Sequence, residues 1–99
     1  MKINIQAPWE VNDYLNEVIQ EKIGKLTTYN DRILHADIFM KLGDTNSGQE
    51  DKLIEVRLRA PGPELFASAN AESYEKAVAD VADKLRRQII KQKEKRSNH

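Results

Sequence analysis

Four short segments of this chain alternate apolar and polar residues, and each has only one apolar face. They cover residues 2–6, 33–42, 51–60 and 64–70. Alternation with period two predicts β-strands, because successive side chains of a strand point to opposite faces of a sheet. Strands that are apolar on one face alone are typical of a sheet that is covered on one side and wet on the other.

The predicted inward positions are apolar in all four strands. They are Ile3, Ile5, Ala36, Ile38, Met40, Leu42, Ile54, Val56, Leu58, Leu65, Ala67 and Ala69. Between the second and third strands, residues 43–50 contain two glycines and no apolar residue, which predicts a mobile hairpin loop.

Two segments with helical spacing supply the cover for the sheet. In the first, apolar residues recur at helical spacing from Val11 to Leu26, and Asn12 is the predicted N-cap. Gly24 within it costs about 1 kcal/mol relative to alanine. The second follows Ser73, also a predicted N-cap. The order β-α-β-β-β-α predicts an α+β fold: a four-stranded mixed sheet with two helices on one face. Its first two strands are parallel if adjacent, and hairpins make the others antiparallel.

A formal net charge of zero hides a strongly polarised chain. Residues 84–99 contain seven Lys or Arg and one acid, so this segment carries +6 and the remainder carries −6. On a helical wheel Lys84, Arg87, Lys91 and Lys95 fall within about 80° of one another, and we call them the basic ridge. At about 1.5 Å per residue the last helix is longer than the strands that it covers, so residues 91–99 are predicted to project beyond the core as a basic tail. A positive helix of this kind indicates a polyanionic partner.

Catalysis is poorly supported by the residue types present. The chain has no cysteine, His35 is isolated on a strand, and His99 is the last residue, so no metal-ligand spacing is found. No nucleophile motif or phosphate-binding glycine loop is found either. We expect no catalytic residue, metal, cofactor or small-molecule substrate. The alternating N-terminus is neither a signal peptide nor a membrane span, which predicts a cytoplasmic protein without a membrane partner.

Several stretches resemble the ribosome hibernation-promoting factor and ribosome-associated inhibitor family. They are the helix segment 21–26 followed by Tyr29, the turn Ala60-Pro61-Gly62 with Leu65 and Ala67, and above all residues 83–95, DKLRRQIIKQKEK. The resemblance covers nearly the whole chain and is to the short form of the family.

This resemblance implies a fold akin to the double-stranded-RNA-binding domain, formed by residues 1–99 as a single ribosome-binding domain. It implies binding to the small ribosomal subunit and its rRNA, and so to whole ribosomes, in the channel for tRNA and mRNA. Translation would stop there in stressed or stationary cells. The implied rRNA-binding residues are Lys22, Lys25, Lys84, Arg87, Lys91 and Lys95. Whether the chain promotes ribosome dimers or silences single ribosomes stays open.

Other interpretations stand beside this one. A basic helix end also complements the helix dipole, and Lys22 and Lys25 fit a solvated helix face. The chain could be a general double-stranded-RNA binder. Alternatively, Phe39, Phe66 and Leu53 could make the open sheet face a protein-interaction surface.

Two further expectations concern single side chains. Arg57 and Arg59 are expected to pair across strands with Glu55 or Asp37. Trp9 is expected to pack over the edge of the core.

Overall fold

The structure, a computed structural model, describes residues 1–42 and 52–97. Its elements are β1 (Lys2–Gln6), α1 (Asp13–Gly24), a short 3₁₀ helix (Lys25–Thr28), β2 (His35–Leu42), β3 (Lys52–Arg59), β4 (Leu65–Ala71) and α2 (Tyr74–Ser97). The predicted order β-α-β-β-β-α is confirmed. The predicted loop at residues 43–50 lies outside the described residues.

The four strands form one mixed sheet in the order β1-β2-β3-β4. β1 runs parallel to β2, with Ile3 beside Ala36. The other two pairs are antiparallel, with Val56 of β3 opposite both Ile38 of β2 and Ala67 of β4. The β1-α1-β2 connection therefore makes the parallel pair and the later connections make the antiparallel ones, as predicted.

Both helices pack on the same face of this sheet. One cluster of side chains, each no more than 6% exposed, joins the helices to the strands. Its members are Ile19, Ile23, Leu26, Ile33, Ala36, Ile38, Met40, Ile54, Val56, Leu58, Ala67, Ala69, Ala71, Ala77, Val78, Val81, Leu85 and Ile89. Removal of this apolar surface from water is the main force that holds the layers together.

The predicted helix caps are both present. Asn12 accepts a hydrogen bond from the backbone N–H of Leu15 at 2.8 Å, and Ser73 accepts one from that of Lys76 at 3.2 Å. Each cap satisfies an N–H group that has no partner inside its helix. The first helix changes to 3₁₀ geometry after Gly24, where the Thr27 hydroxyl donates to the Gly24 carbonyl at 2.8 Å.

One predicted inward residue, Leu42, is wrong, because its side chain is 60% exposed. Leu42 is the last residue of β2. The Tyr74 hydroxyl, at the start of α2, donates to the Lys41 carbonyl at 2.8 Å. The covering helix therefore begins beside Lys41, and Leu42 lies beyond it.

Candidate nucleic-acid interface

The basic ridge lies on the side of α2 that faces the β4 edge of the sheet. All four of its side chains are exposed. Lys84 lies beside the middle of β4, and Lys91 and Lys95 line a shallow groove with Pro63 and Leu65. The ridge therefore follows the sheet edge toward the turn before β4.

Two side chains of α2 close the free edge of β4. The Lys84 ammonium donates to the Ser68 carbonyl at 2.7 Å, and the Gln88 amide donates to the Phe66 carbonyl at 2.9 Å. An uncovered edge strand is a template for unwanted pairing, and these bonds occupy two of its acceptors. Lys84 therefore has a structural bond that the wheel could not show. Gln88, one turn later on the same face, was not among the predicted site residues.

Asp83 holds two arginines at once on the outward surface of α2. One carboxylate oxygen accepts a hydrogen bond from Arg86 at 2.8 Å, and the other forms an ion pair with Arg87 at 2.7 Å. The hydrogen bond from Arg86 lowers the pKa of Asp83, and the same bond raises the pKa of Arg86. The Arg87 side chain is 72% exposed, so most of its five N–H donors remain available to a ligand.

Lys22 of α1 and Lys25 of the 3₁₀ helix lie beside α2, on the side opposite the β4 edge. They line the groove between α1 and α2 together with Tyr29, Asp83 and Arg86. Lys25 is only weakly held, since its ammonium lies 3.6 Å from the Glu21 carboxylate and both side chains are more than 60% exposed.

The structure therefore separates the six predicted bases into two groups. The ridge faces β4, whereas Lys22 and Lys25 lie at the groove between α1 and α2, where Arg86 is their neighbour. Arg86 was not among the predicted site residues, because the packing of α1 against α2 that brings it near the two lysines is not visible in a local pattern.

The open sheet face is crossed by polar pairs. Lys41 pairs with Glu55 at 2.7 Å, and the Asn4 amide donates to Asp37 at 3.1 Å. Asp37 lies opposite Arg57 across β2 and β3, but the predicted ion pair of Arg57 is wrong, because its guanidinium pairs with Glu64 at 2.7 Å. Glu55 is engaged by Lys41, and Glu64 lies next to β4, the neighbouring strand.

The aromatic residues of this face do not form one patch. Phe39 is opposite Glu55 and Phe66 is opposite Arg57, so a charged strand position separates the two rings. Trp9, by contrast, packs as predicted: its ring lies 5.3 Å from that of Tyr74 at the core edge.

Within residues 1–42 and 52–97, no group of three His, Asp or Glu side chains could hold a metal ion. No helix in the same ranges is long and apolar enough to cross a membrane.

Comparison with known proteins identifies relatives over the length of the chain. A ribosome hibernation promoting factor of Azotobacter vinelandii is 35% identical over 96 residues, which cover 96% of this chain and 85% of the relative. The ribosome hibernation promoting factor of Escherichia coli K12 is 30% identical, and the match covers all of both chains. A ribosomal subunit interface protein from Coxiella burnetii has the same fold, with a TM-score of 0.81 at 21% identity, over 94% of this chain and 98% of the other.

The family model described as Sigma 54 modulation protein / S30EA ribosomal protein matches residues 3–97. This match and the relatives at 30–35% identity confirm the resemblance found in the sequence. The chain belongs to the Sigma 54 modulation protein / S30EA ribosomal protein family, the family of the ribosome hibernation promoting factors.

Proposed function

We propose that this protein binds the rRNA of the small ribosomal subunit in the tRNA–mRNA channel and blocks translation there, in the cytoplasm of stressed or stationary cells. Relatives of the chain are named ribosome hibernation promoting factors, and the family consists of binding proteins rather than enzymes. Blocking by occupation of the channel needs no catalytic residue.

The observation that carries this proposal is the group of exposed cations at the C-terminal end of α2. The side chains of Lys91 and Lys95 are exposed and take part in no ion pair or hydrogen bond with other described residues. Arg87 is 72% exposed and keeps free donors. Like charges on one helix end repel each other, and a polyanion relieves that repulsion.

The chemistry of such a surface suits a phosphate backbone. Each Lys or Arg that neutralises a phosphate releases counterions, which gives a salt slope of about 0.7 to 0.9 log units of affinity per contact. Folded RNA is recognised mostly by shape and by 2′-OH and phosphate contacts. A rigid helix that carries a row of cations is therefore sufficient without base-specific readout.

The experiment is cosedimentation with purified small subunits and whole ribosomes across a salt series. The test variant is Arg87→Glu/Lys91→Glu/Lys95→Glu, which leaves the Lys84 bond to β4 intact. We expect wild-type binding to weaken as salt rises, and the variant to bind more weakly, with a salt slope smaller by about 2 to 3.

A matched control changes net charge equally at another surface. Lys2→Glu/Arg57→Glu/Arg59→Glu reverses three exposed bases that lie on β1 and β3 rather than on α2. If this control loses as much binding as the ridge variant, net charge and not the ridge governs the interaction. If the wild type remains in the supernatant at low salt, the proposal fails.

Competition tests the location of binding. Small subunits filled beforehand with mRNA and tRNA should bind less of the protein, and the protein should inhibit translation in a cell-free system. Equal binding to filled subunits would place the protein elsewhere. Equal affinity for free RNA duplexes would instead indicate a general double-stranded-RNA binder.

A further inference from the structure

The end of the molecule where both helices begin exposes large apolar and aromatic side chains. Trp9 is 37% exposed, Tyr14 is 61% exposed and Leu42 is 60% exposed. Lys84, Gln88 and then Lys91 lie progressively toward the start of β4, so the ridge runs away from this end. We call the surface formed by Trp9, Tyr14, Leu42 and Tyr74 the aromatic end.

Specific contacts make the aromatic end continuous. The rings of Trp9 and Tyr74 are 5.3 Å apart. The Tyr74 hydroxyl donates to the carbonyl of Lys41, the residue before Leu42, at 2.8 Å. The Tyr14 hydroxyl donates to the carboxylate of Glu75 at 3.0 Å, which joins α1 to the first turn of α2. The exposed side chains therefore belong to one surface rather than to scattered sites.

This surface is also acidic. Four exposed acids lie within two residues of its members along the chain, namely Glu10, Asp13, Glu72 and Glu75. Of the bases beside Leu42, Lys41 is paired with Glu55 and Lys52 lies opposite Leu42 on β3. Residues 13–19, the first two turns of α1, contain no Lys or Arg, and residues 74–80 of α2 contain only Lys76. The negative potential acts on a neighbouring side chain, because the hydrogen bond to Glu75 and its charge raise the pKa of Tyr14.

We propose that the aromatic end is a docking surface for a basic protein segment, one that carries Lys or Arg together with an apolar side chain. Charge decides the class of partner. Carboxylates repel RNA phosphates, whereas they attract Lys and Arg and complement them across an interface. Exposed aromatic rings provide the apolar anchors that dominate protein interfaces.

The assignment of this segment to a protein of the small ribosomal subunit rests on the function proposed above. A protein held on rRNA needs an excess of Lys and Arg to stay there. Proteins of the small subunit therefore offer segments of the required chemistry next to the rRNA that the ridge binds. The two ends of the chain then bind different components of one particle, RNA at the ridge and protein at the aromatic end.

Two exposed leucines at opposite ends of β2 give a matched test. Leu42 at the end of β2 is 60% exposed, and Leu34 just before β2 is 59% exposed, at the opposite end of the strand. Leu42→Ser should weaken binding to small subunits by about tenfold, which is typical for the loss of an apolar anchor from an interface. The salt slope should not change, because no charge is removed. Leu34→Ser should bind like the wild type. Thermal unfolding of both variants checks that each is folded.

Photocrosslinking from single positions identifies what each end touches. A benzophenone side chain placed at residue 42 should crosslink to a Lys/Arg-rich protein of the small subunit, and one placed at residue 91 should crosslink to rRNA. If residue 42 crosslinks to rRNA or to nothing while residue 91 crosslinks to rRNA, the docking proposal is overturned and the proposed function stands. If neither crosslinks and the wild type does not cosediment, both proposals fail.

Discussion

The two ends of α2 belong to one continuous helix, but one packs into the core and the other exposes charged side chains. Up to Ile89 the helix contributes Ala77, Val78, Val81, Leu85 and Ile89 to the core, each no more than 1% exposed. From Lys91 to Lys95 it exposes charged side chains and buries none. The first part is held by packing and determines stability, whereas the second offers charge to a partner. Substitutions in the two parts should therefore affect different measurements.

The largest expected effect is on the packed part. Leu85→Ala removes a side chain that is fully buried between α2 and the sheet. The loss of its transfer free energy and the cavity left behind should lower the free energy of unfolding by about 2–5 kcal/mol. Urea denaturation measures this change. A loss below about 1 kcal/mol would show that α2 is not part of the core in solution.

A second comparison separates two lysines of the same ridge. Lys84→Met removes the bond to the Ser68 carbonyl and should lower the free energy of unfolding by about 0.5–1 kcal/mol. Lys91→Met removes no bond within the described chain and should change stability by less than about 0.5 kcal/mol. For small-subunit binding the order should reverse, with Lys91→Met reducing the salt slope by about 0.7 to 0.9.

Methionine and lysine have similar helix propensities, so the two lysine variants are matched apart from the lost contact. Urea denaturation and cosedimentation across a salt series give the two readouts. Equal effects of both variants on stability and on binding would remove the distinction between a structural and a binding lysine.

A stabilising change gives a third test of the separation. Gly24 has an ordinary helical φ of −59°, and an added Cβ would meet nothing within 4 Å. Gly24→Ala should therefore raise the free energy of unfolding by about 0.5–1 kcal/mol, because alanine loses less backbone entropy on folding. Its affinity for small subunits should not change. Tighter binding in proportion to the gain in stability would show that folding limits binding.

The smallest expected effect concerns the acid that holds two arginines. The hydrogen bond from Arg86 lowers the pKa of Asp83, so its contribution to stability is present above the unfolded-state pKa of about 3.8 and is lost as pH falls through the folded-state value. NMR titration of the Asp83 carboxyl should give a pKa below 3.8, and Arg86→Gln should return it toward that value. An unchanged pKa in Arg86→Gln would show that the pair does not persist in solution.

Much of the fold could be predicted because its signals are local. Residues 2–6 were predicted as a strand and form β1 with the same bounds. Asn12 and Ser73 cap their helices because a side-chain acceptor needs only the N–H group three residues later. The error at Leu42 has a non-local cause. The apolar–polar alternation of β2 continues to its last residue, whereas α2, which covers the sheet, begins beside Lys41 and does not reach Leu42.

The candidate site likewise has features that could be predicted from local sequence and features that depend on the tertiary structure. The helical wheel predicted the ridge, since residues three or four apart share a face of any helix. It could not show that Ser68 lies under Lys84 or that Arg86 faces Lys22 and Lys25, because those neighbours come from β4 and α1. The partner of Arg57 was wrong for the same reason.

The sequence by itself determined the order of strands and helices, the single apolar face of each strand and the basic character of the last helix, because period and charge are properties of neighbouring residues. The tertiary structure alone decided which lysine is held by the sheet, which bases share a groove, and that Trp9, Tyr14 and Leu42 are exposed at one end. Those features depend on the packing of α1 and α2 over the sheet, which brings together residues that are distant along the chain.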